Sequence, residues 1–426
     1  MNKKRIGVVA DDITGSNDIG VMLAKNGFRV TVLSLEDAPT PADFAEADVL
    51  VINTGSRLDT AALAADKSAR AAVFLRDNGC EMVYTKTCSV FRGNIGASFD
   101  AVQDALGVKT SMVVAGFPRN GRTTVDGVHY LNGVPVSETN FANDPVTPLK
   151  FSRLSELIGQ QSARPCRVFT HDWLDKEADV RRAHLEALKA EAAYVIFDVR
   201  NQEDLATVAA LIRDERNICG ASAVCEELPG AWHQVSPVEL YHPDENHEGV
   251  LILAGSLTPQ TTRQIAALEN AGVAAHVLNP ALLLSEADRA AAVKEAVAYA
   301  AARLTKGEDV LVYAARDTAG VREKSARLGI SDVEAGRCIS LAFEAIARQV
   351  RTETGLTRYL VAGGETSDSV SRGLNVRTMH IWQEIEPGVP VMTARTAHGE
   401  ELALVFKSGS FGSDAFLLNA AQILRG

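Results

Sequence analysis

Arg5-Ile6-Gly7-Val8-Val9-Ala10 running straight into Asp11-Asp12-Ile13-Thr14-Gly15-Ser16-Asn17-Asp18 decides the fold. After Arg5 the run to Ala10 is apolar and β-rich, and the polar, glycine-bearing turn after it opens a helical pattern. Strand, turn and helix in that order form the start of a parallel α/β unit. In open α/β sheets ligands bind at the carboxyl ends of the strands, so the turn delivers three aspartates to a site mouth. An Asp or Thr N-cap with a turn glycine explains one or two of these polar residues. It does not require three carboxylates in eight positions. Carboxylates here suit either proton abstraction from a substrate hydroxyl or hydrogen bonding to several hydroxyls of a polyol.

The alternation continues outward from this turn. Further strands are expected at 29–33, 49–53, 81–85, 110–115 and 193–198, with helices at 61–78 and 97–106. Most of these strands are apolar almost throughout, as strands buried on both faces are. The stretch 118–148, rich in Gly, Asn, Thr, Asp and Pro, interrupts the rhythm and reads as a long loop or hairpin excursion. A polar, acidic, proline-marked segment at 236–248 reads as a linker. The expected domains are therefore 1–235 and 249–426. In the second, strands are expected at 250–254, 274–278, 309–314, 358–362 and 403–407, and helices at 259–271, 286–304, 333–352 and 413–424. Both halves are α/β, each with a mostly parallel sheet flanked by helices, and the active site is expected in the cleft between the domains.

Composition limits the partners. The 426 residues carry a formal charge of −11, which disfavours nucleic acid and anionic membrane. No stretch reaches the roughly 18 apolar residues of a membrane span. The basic opening at 1–5 is cut off by Asp11 and Asp12 after a short apolar run, unlike a signal peptide, so a cytoplasmic location is expected. The six cysteines lack zinc-site or disulfide-framework spacing and are expected reduced. A small anionic ligand needs cations gathered locally, and Lys86, Arg92, Arg119 and Arg122 supply them.

Three further segments carry chemistry. Lys86-Thr87-Cys88-Ser89-Val90-Phe91-Arg92-Gly93-Asn94-Ile95-Gly96 sets two cations and small hydroxyl and thiol groups between a strand and a helix, which suits either an anion site or a capped helix start. Phe117-Pro118-Arg119-Asn120-Gly121-Arg122 offers arginines for a carboxylate, though an exposed turn has the same composition. In the second half, glycine-bearing strand exits recur at Ala254-Gly255-Ser256-Leu257-Thr258, Ala362-Gly363-Gly364-Glu365-Thr366-Ser367 and Lys407-Ser408-Gly409-Ser410-Phe411-Gly412. Repeated strand-to-helix glycine loops suit phosphate binding by backbone N–H groups. The chain contains no P-loop, complete dinucleotide fingerprint or zincin motif. His129 and His171 read as structural or surface residues.

On these same residues the chain resembles the four-carbon acid sugar kinases. The opening Ala-Asp-Asp-x-Thr-Gly-x-x-Asp, the Arg-Gly-Asn-Ile-Gly after a Lys-Thr strand end, and the late Gly-Gly-Glu-Thr-Ser with Lys-Ser-Gly-x-Phe-Gly carry the resemblance, over about residues 5–424. It implies an N-terminal domain that binds a sugar acid, a C-terminal domain that binds ATP, and magnesium-assisted transfer of the γ-phosphoryl to the terminal hydroxyl of a tetronate. It implies Asp12 or Asp11 as base. Thr14, Asp18, Lys86, Arg92, Gly93, Asn94 and Arg122 become substrate-side candidates, and Ser256, Gly363, Gly364, Glu365, Thr366 and Gly409 nucleotide-side candidates. No magnesium ligand is assigned. Many members carry Asp-Ser-Thr where this chain has Cys88-Ser89-Val90, which leaves the substrate open: D-threonate or D-erythronate first, 3-oxo-tetronate as the alternative. A non-catalytic sensor of sugar acid and nucleotide is the rival of another class, and a hydroxy-acid dehydrogenase is disfavoured by Asp11-Asp12 where pyrophosphate would sit. Oligomeric state is open, a homodimer included.

Overall fold

The computed structural model describes residues 4–144, 147–243 and 249–426. The first residues of the basic opening (1–3), two of the expected excursion (145–146) and the end of the expected linker (244–248) lie outside the described residues. The chain divides into two compact units, Met1–Val238 and Glu239–Gly426.

In the first unit, β1 (Ile6–Ala10) leads into α1 (Ile13–Ala24), and β2 (Val30–Ser34), β3 (Val49–Asn53), α2 (Ala61–Asp77), β4 (Met82–Lys86), α3 (Ile95–Leu106) and β5 (Ser111–Val114) follow. A small antiparallel sheet of β6 (Arg122–Val125), β7 (Val128–Leu131) and β8 (Val134–Pro135) then fills the expected excursion, which is a hairpin rather than a loop. The chain returns through α4 (Leu154–Gly159), β9 (Cys166–Phe169), α5 (His171–Leu174), α6 (Ala178–Glu191), β10 (Tyr194–Phe197), α7 (Gln202–Ile212), β11 (Asn217–Gly220) and α8 (Val224–Ala231). The main sheet runs β2-β3-β1-β4-β11-β5-β10-β9, with every pairing parallel.

The apolar strands have both faces covered. Val9, Leu50, Ile52 and Val83 pack with Ala71, Leu75 and Val102 of α2 and α3. Elsewhere Val113, Tyr194 and Ile196 pack on Phe91, Phe99 and Leu154. Each fully buried aliphatic or aromatic side chain contributes about 1.5–3 kcal/mol.

The second unit contains β12 (Leu251–Ala254), α9 (Pro259–Asn270), β13 (Ala274–Leu278), α10 (Glu286–Leu304), β14 (Val310–Ala314), α11 (Thr318–Leu328), α12 (Asp332–Thr354), β15 (Arg358–Ala362), α13 (Gly364–Gly373), β16 (Val376–Glu386), β17 (Val389–Thr396), β18 (Glu401–Lys407) and α14 (Phe416–Arg425). Its strands run β13-β14-β12-β15-β18 in parallel, then continue through β17 and β16 as an antiparallel edge. Both units are therefore α/β, as the apolar runs require. No helix among the described residues is long and apolar enough to cross a membrane.

Candidate functional site

Parallel register determines what meets. In the first unit Ala10 pairs with Asn53 and with Lys86, and Lys86 pairs with Gly220, so the strands end level and their exit loops share one edge. The turn after β1 brings Asp11 and Asp12, the loop after β3 brings Arg57, and the loop after β4 brings Cys88 to Asn94.

Asp12 caps α1: its carboxylate accepts the Gly15 N–H at 2.7 Å and the Thr14 hydroxyl at 3.1 Å. The same carboxylate accepts a guanidinium hydrogen bond from Arg57. Arg57 also grips Asp11 in a fork, Nε to Oδ2 at 3.0 Å and Nη2 to Oδ1 at 2.6 Å. Burial works against Arg57's charge, and Asp11 and Asp12 outweigh it. Burial pushes the Asp11 carboxyl up, with Arg57 opposing and Asp12 adding to the rise. For Asp12 burial also acts upward, but Arg57, Lys86 and the Gly15 N–H bring it below its ordinary value. Arg57 escaped the sequence reading because it lies in a Gly-Ser-Arg turn with no motif around it.

Asn94 fixes that turn. Its amide donates to the carbonyls of Ser56 at 3.0 Å and Asp59 at 2.9 Å, so in this conformation it supports Arg57. Gly93 has φ +101°, and a Cβ there would lie 3.0 Å from Arg57 Cγ, so the close approach of the two loops needs glycine.

Lys86 and Asp18 form a second layer. Their side chains are 2% and 5% exposed and pair at 3.1 Å, whereas Asp11 and Asp12 keep 11% and 18%. A ligand therefore meets Asp11 and Asp12 first. Burial raises the Asp18 carboxyl against the pull of Lys86. Beneath Asp11 a cavity of about 10 Å³, lined by Thr54, Thr85, Lys86, Thr87 and Ser98, has room for a water but not for a sugar acid.

Arg92 pairs with Asp144 at 2.5 Å and lies over the Phe141 ring. It still acts on the Cys88 thiol: burial raises that thiol, and Arg92 with Arg57 brings it below the ordinary value. Arg122 on β6 donates to the Asn120 carbonyl, and burial lowers its pKa against Cys88 and Asp18. Arg119 pairs with Glu226. Buried His129 donates from Nε2 to the Ser89 carbonyl at 2.8 Å, and burial lowers its pKa to about 4, so the ring is neutral, accepts the Thr124 hydroxyl at Nδ1 and supports the Cys88 loop without charge. Asp11, Asp12, Thr14, Asp18, Lys86, Arg92 and Arg122 are thus brought to one edge, with Gly93 and Asn94 shaping its loops.

Among the described residues one grouping, Asp126, His171 and Asp198, could hold a cation. Asp198 there already accepts the backbone N–H groups of Asp126, Gly127 and His171 at 2.8–3.0 Å, the geometry of a loop clamp.

The second unit repeats the principle. Ala254 pairs with Ala362 and Ala362 with Lys407, so three glycine loops leave one edge together. They touch. A Cβ on Gly409 would lie 2.3 Å from Ser256 Oγ, and one on Gly363, whose φ is +126°, would lie 3.0 Å from Thr366 Oγ1. No side chain caps α13 at Gly363, so the helix presents N–H groups and the positive end of its dipole beside Gly364, Glu365 and Thr366. Ser256, Gly363, Gly364, Glu365, Thr366 and Gly409 are thus gathered around a cradle suited to phosphate.

Carboxylates and guanidiniums at the strand ends of one α/β unit, with a glycine-lined helix N-terminus in another, are the parts that a phosphotransferase acting on a hydroxyl requires. Family models match twice: a sugar-binding N-terminal domain over residues 6–228 and a nucleotide-binding C-terminal domain over 251–417. The chain belongs to the four-carbon acid sugar kinase family. It is 32% identical to a 3-oxo-tetronate kinase of Pseudomonas fluorescens over 99% of this chain and 97% of the relative. It is also 32% identical to a D-threonate kinase of Salmonella typhimurium, covering 97% and 96%. A Salmonella typhimurium LT2 crystal structure, provisionally described as a tRNA synthase, superposes with TM-score 0.82 at 29% identity over 98% of both chains.

Proposed function

We propose that this kinase transfers the γ-phosphoryl group of magnesium-bound ATP to the terminal hydroxyl of a four-carbon sugar acid, held by residues 1–235, with ATP held by residues 249–426 and 236–248 as the linker. The observation that carries the acceptor side is the pairing of two reachable carboxylates, Asp11 and Asp12, with Arg57 beside Arg92. A sugar acid presents hydroxyls to the former and a carboxylate to the latter.

In this reading Asp11 takes the hydroxyl proton as the oxygen bonds to the γ-phosphorus and the bond to ADP breaks. Its raised proton affinity suits that role, whereas Asp12 is engaged as the cap of α1. Arg92 with Arg57 holds the substrate carboxylate, Thr14, Arg122 and the Gly93–Asn94 turn complete the pocket, and the Lys86–Asp18 pair supports it from below. Ser256, Gly363, Gly364, Glu365, Thr366 and Gly409 hold the phosphates. Magnesium bound with ATP would neutralise charge on its phosphates.

The relatives carry both 3-oxo-tetronate and D-threonate kinase names at nearly equal identity, so D-threonate, D-erythronate and 3-oxo-tetronate form the test panel. A coupled ADP-release assay with magnesium-ATP should give turnover on one of them and lose it in Asp11→Asn. No acid-dependent ADP release with any member of the panel would sink the proposal and favour the non-catalytic nucleotide and sugar-acid sensor.

A further inference from the structure

Lys407 ends β18 and is fully buried, yet among the described residues no carboxylate pairs with it. Its ammonium donates to two neutral oxygens, Thr261 Oγ1 at 3.1 Å and the Gly409 carbonyl at 3.2 Å. The Gly409 carbonyl is a point of convergence: Thr258 Oγ1 lies 2.6 Å from it and Thr261 Oγ1 3.0 Å. A carbonyl held by three side-chain donors has its peptide plane fixed. In a trans peptide the N–H points opposite to the C=O, so the next N–H, that of Ser410, is turned away from this interior cluster. Ser410 is exposed, and its N–H donates to no acceptor among the described residues.

We propose that Lys407 is the positioning residue of the nucleotide site: with Thr258 and Thr261 it draws the Gly409 carbonyl inward, so that the Ser410 N–H is offered to phosphate with a cation behind it. This rests on the second unit being the nucleotide site. The neighbouring loops agree with it, since Gly409 is packed on Ser256 and the Lys407 carbonyl accepts the Gly363 N–H at 2.9 Å. Lysine is a costly choice for a purely structural anchor, because an unpaired buried cation is disfavoured.

The charge of Lys407 is poised. Burial lowers its pKa from 10.5 to about 7, with Glu386 of β16 pulling weakly the other way; its contacts on α9 and the 409 loop, Thr261 and Gly409, are neutral. Phosphate arriving nearby favours the ammonium, so nucleotide binding takes up a proton.

The test is calorimetric titration of the full chain with magnesium-ADP at pH 7.5, in buffers of low and high ionisation enthalpy. The wild type is expected to take up roughly half a proton or more with magnesium-ADP and none with adenosine. Lys407→Met should abolish the uptake and raise the KM for ATP roughly 10–100-fold while leaving the KM for the sugar acid unchanged, the size of a lost charge-assisted hydrogen bond. Lys407→Arg, permanently charged, should bind without uptake, which keeps the test open if the Met variant folds poorly. Uptake persisting in a folded variant, or an ATP KM within twofold of wild type in Lys407→Met, would overturn the assignment. Wild type that binds no magnesium-ADP at all would overturn the nucleotide reading itself, a distinct result.

Discussion

Arg57 grips Asp11 through two parallel hydrogen bonds, at 3.0 and 2.6 Å, while its third nitrogen reaches Asp12. Adjacent carboxylates at a strand end repel each other, and this guanidinium is what allows both to stay there. Arg57→Gln keeps a polar side chain but removes the charge, leaving two largely buried carboxylates without their guanidinium partner. Removal of one partner of such a pair costs about 3–5 kcal/mol. The unfolding midpoint should fall, and kcat for the sugar acid should fall at least 100-fold. Arg57→Lys should recover stability more than turnover, because an ammonium cannot reproduce the fork. Equal recovery of both would show that the fork has no part in catalysis.

Asp11 and Asp12 separate by substitution. Asn serves as an N-cap about as well as Asp but offers Arg57 no charge, so Asp12→Asn should keep the cap of α1 yet lower the thermal midpoint at neutral pH, and Asp12→Ala should lose about 1 kcal/mol more. Asp11→Asn removes the proton acceptor and should lower kcat by 100-fold or more, within the range a positioned general base supplies. The acid limb distinguishes them as well. Asp12's folded pKa lies below 3.8, so its contribution to stability is complete above that value and lost as pH falls through the folded one. Acid unfolding of Asp12→Asn should therefore lack part of this slope. If Asp12→Asn proves the more damaged enzyme, the two roles are reversed.

Much of this was legible because apolar runs and glycine exits are local signals. The strands around Asp11, Lys86, Gly363 and Gly409 were placed within a residue or two of where they lie. Other elements depend on partners. β11 is only Asn-Ile-Cys-Gly, too short and polar-ended to stand out, yet it fills the space between β4 and β5. The β16 strand, Val376–Glu386, alternates half-buried polar residues, and its pairing with β17 is what makes it a strand. α13 is mostly Gly, Ser, Thr and Asp, poor helix formers, and is helical because its buried face packs against β15 and α12. Arg57 was invisible for a related reason: its role is set by register, which brings the exit of β3 beside that of β1.

Cys88 stands in the loop after β4, half-buried, with its thiol brought below the ordinary value by Arg92 and Arg57 against the effect of burial. Cys80, Cys219 and Cys225 are shifted the opposite way by burial, Cys80 and Cys219 to about 12. Alkylation follows the thiolate. Iodoacetamide at pH 7 should therefore label Cys88 before those three, by peptide mass mapping, and its rate should level off at a lower pH than for a free thiol. Bound sugar acid should slow the labelling. Labelling of Cys88 unaffected by every acid in the panel would place the substrate elsewhere.

Lys407 also makes a prediction about the protein without nucleotide. Its folded pKa of about 7 is depressed from 10.5, so between those values the unfolded chain binds more protons than the folded one, and stability rises with pH across that window. Below about pH 7 the penalty of the buried ammonium is present in full. Lys407→Met fills similar space without a charge. It should raise the unfolding midpoint at pH 6 by roughly 3–6 °C, the size of about 1–2 kcal/mol for a domain of this length. The gain should shrink toward pH 10, where the wild-type amine is neutral and its hydrogen bonds to Thr261 and Gly409 count in its favour. A variant more stable at pH 6 yet poorer in nucleotide binding would mean that the lysine is retained for function at the expense of stability. A gain independent of pH would show that the buried amine is not the titrating group.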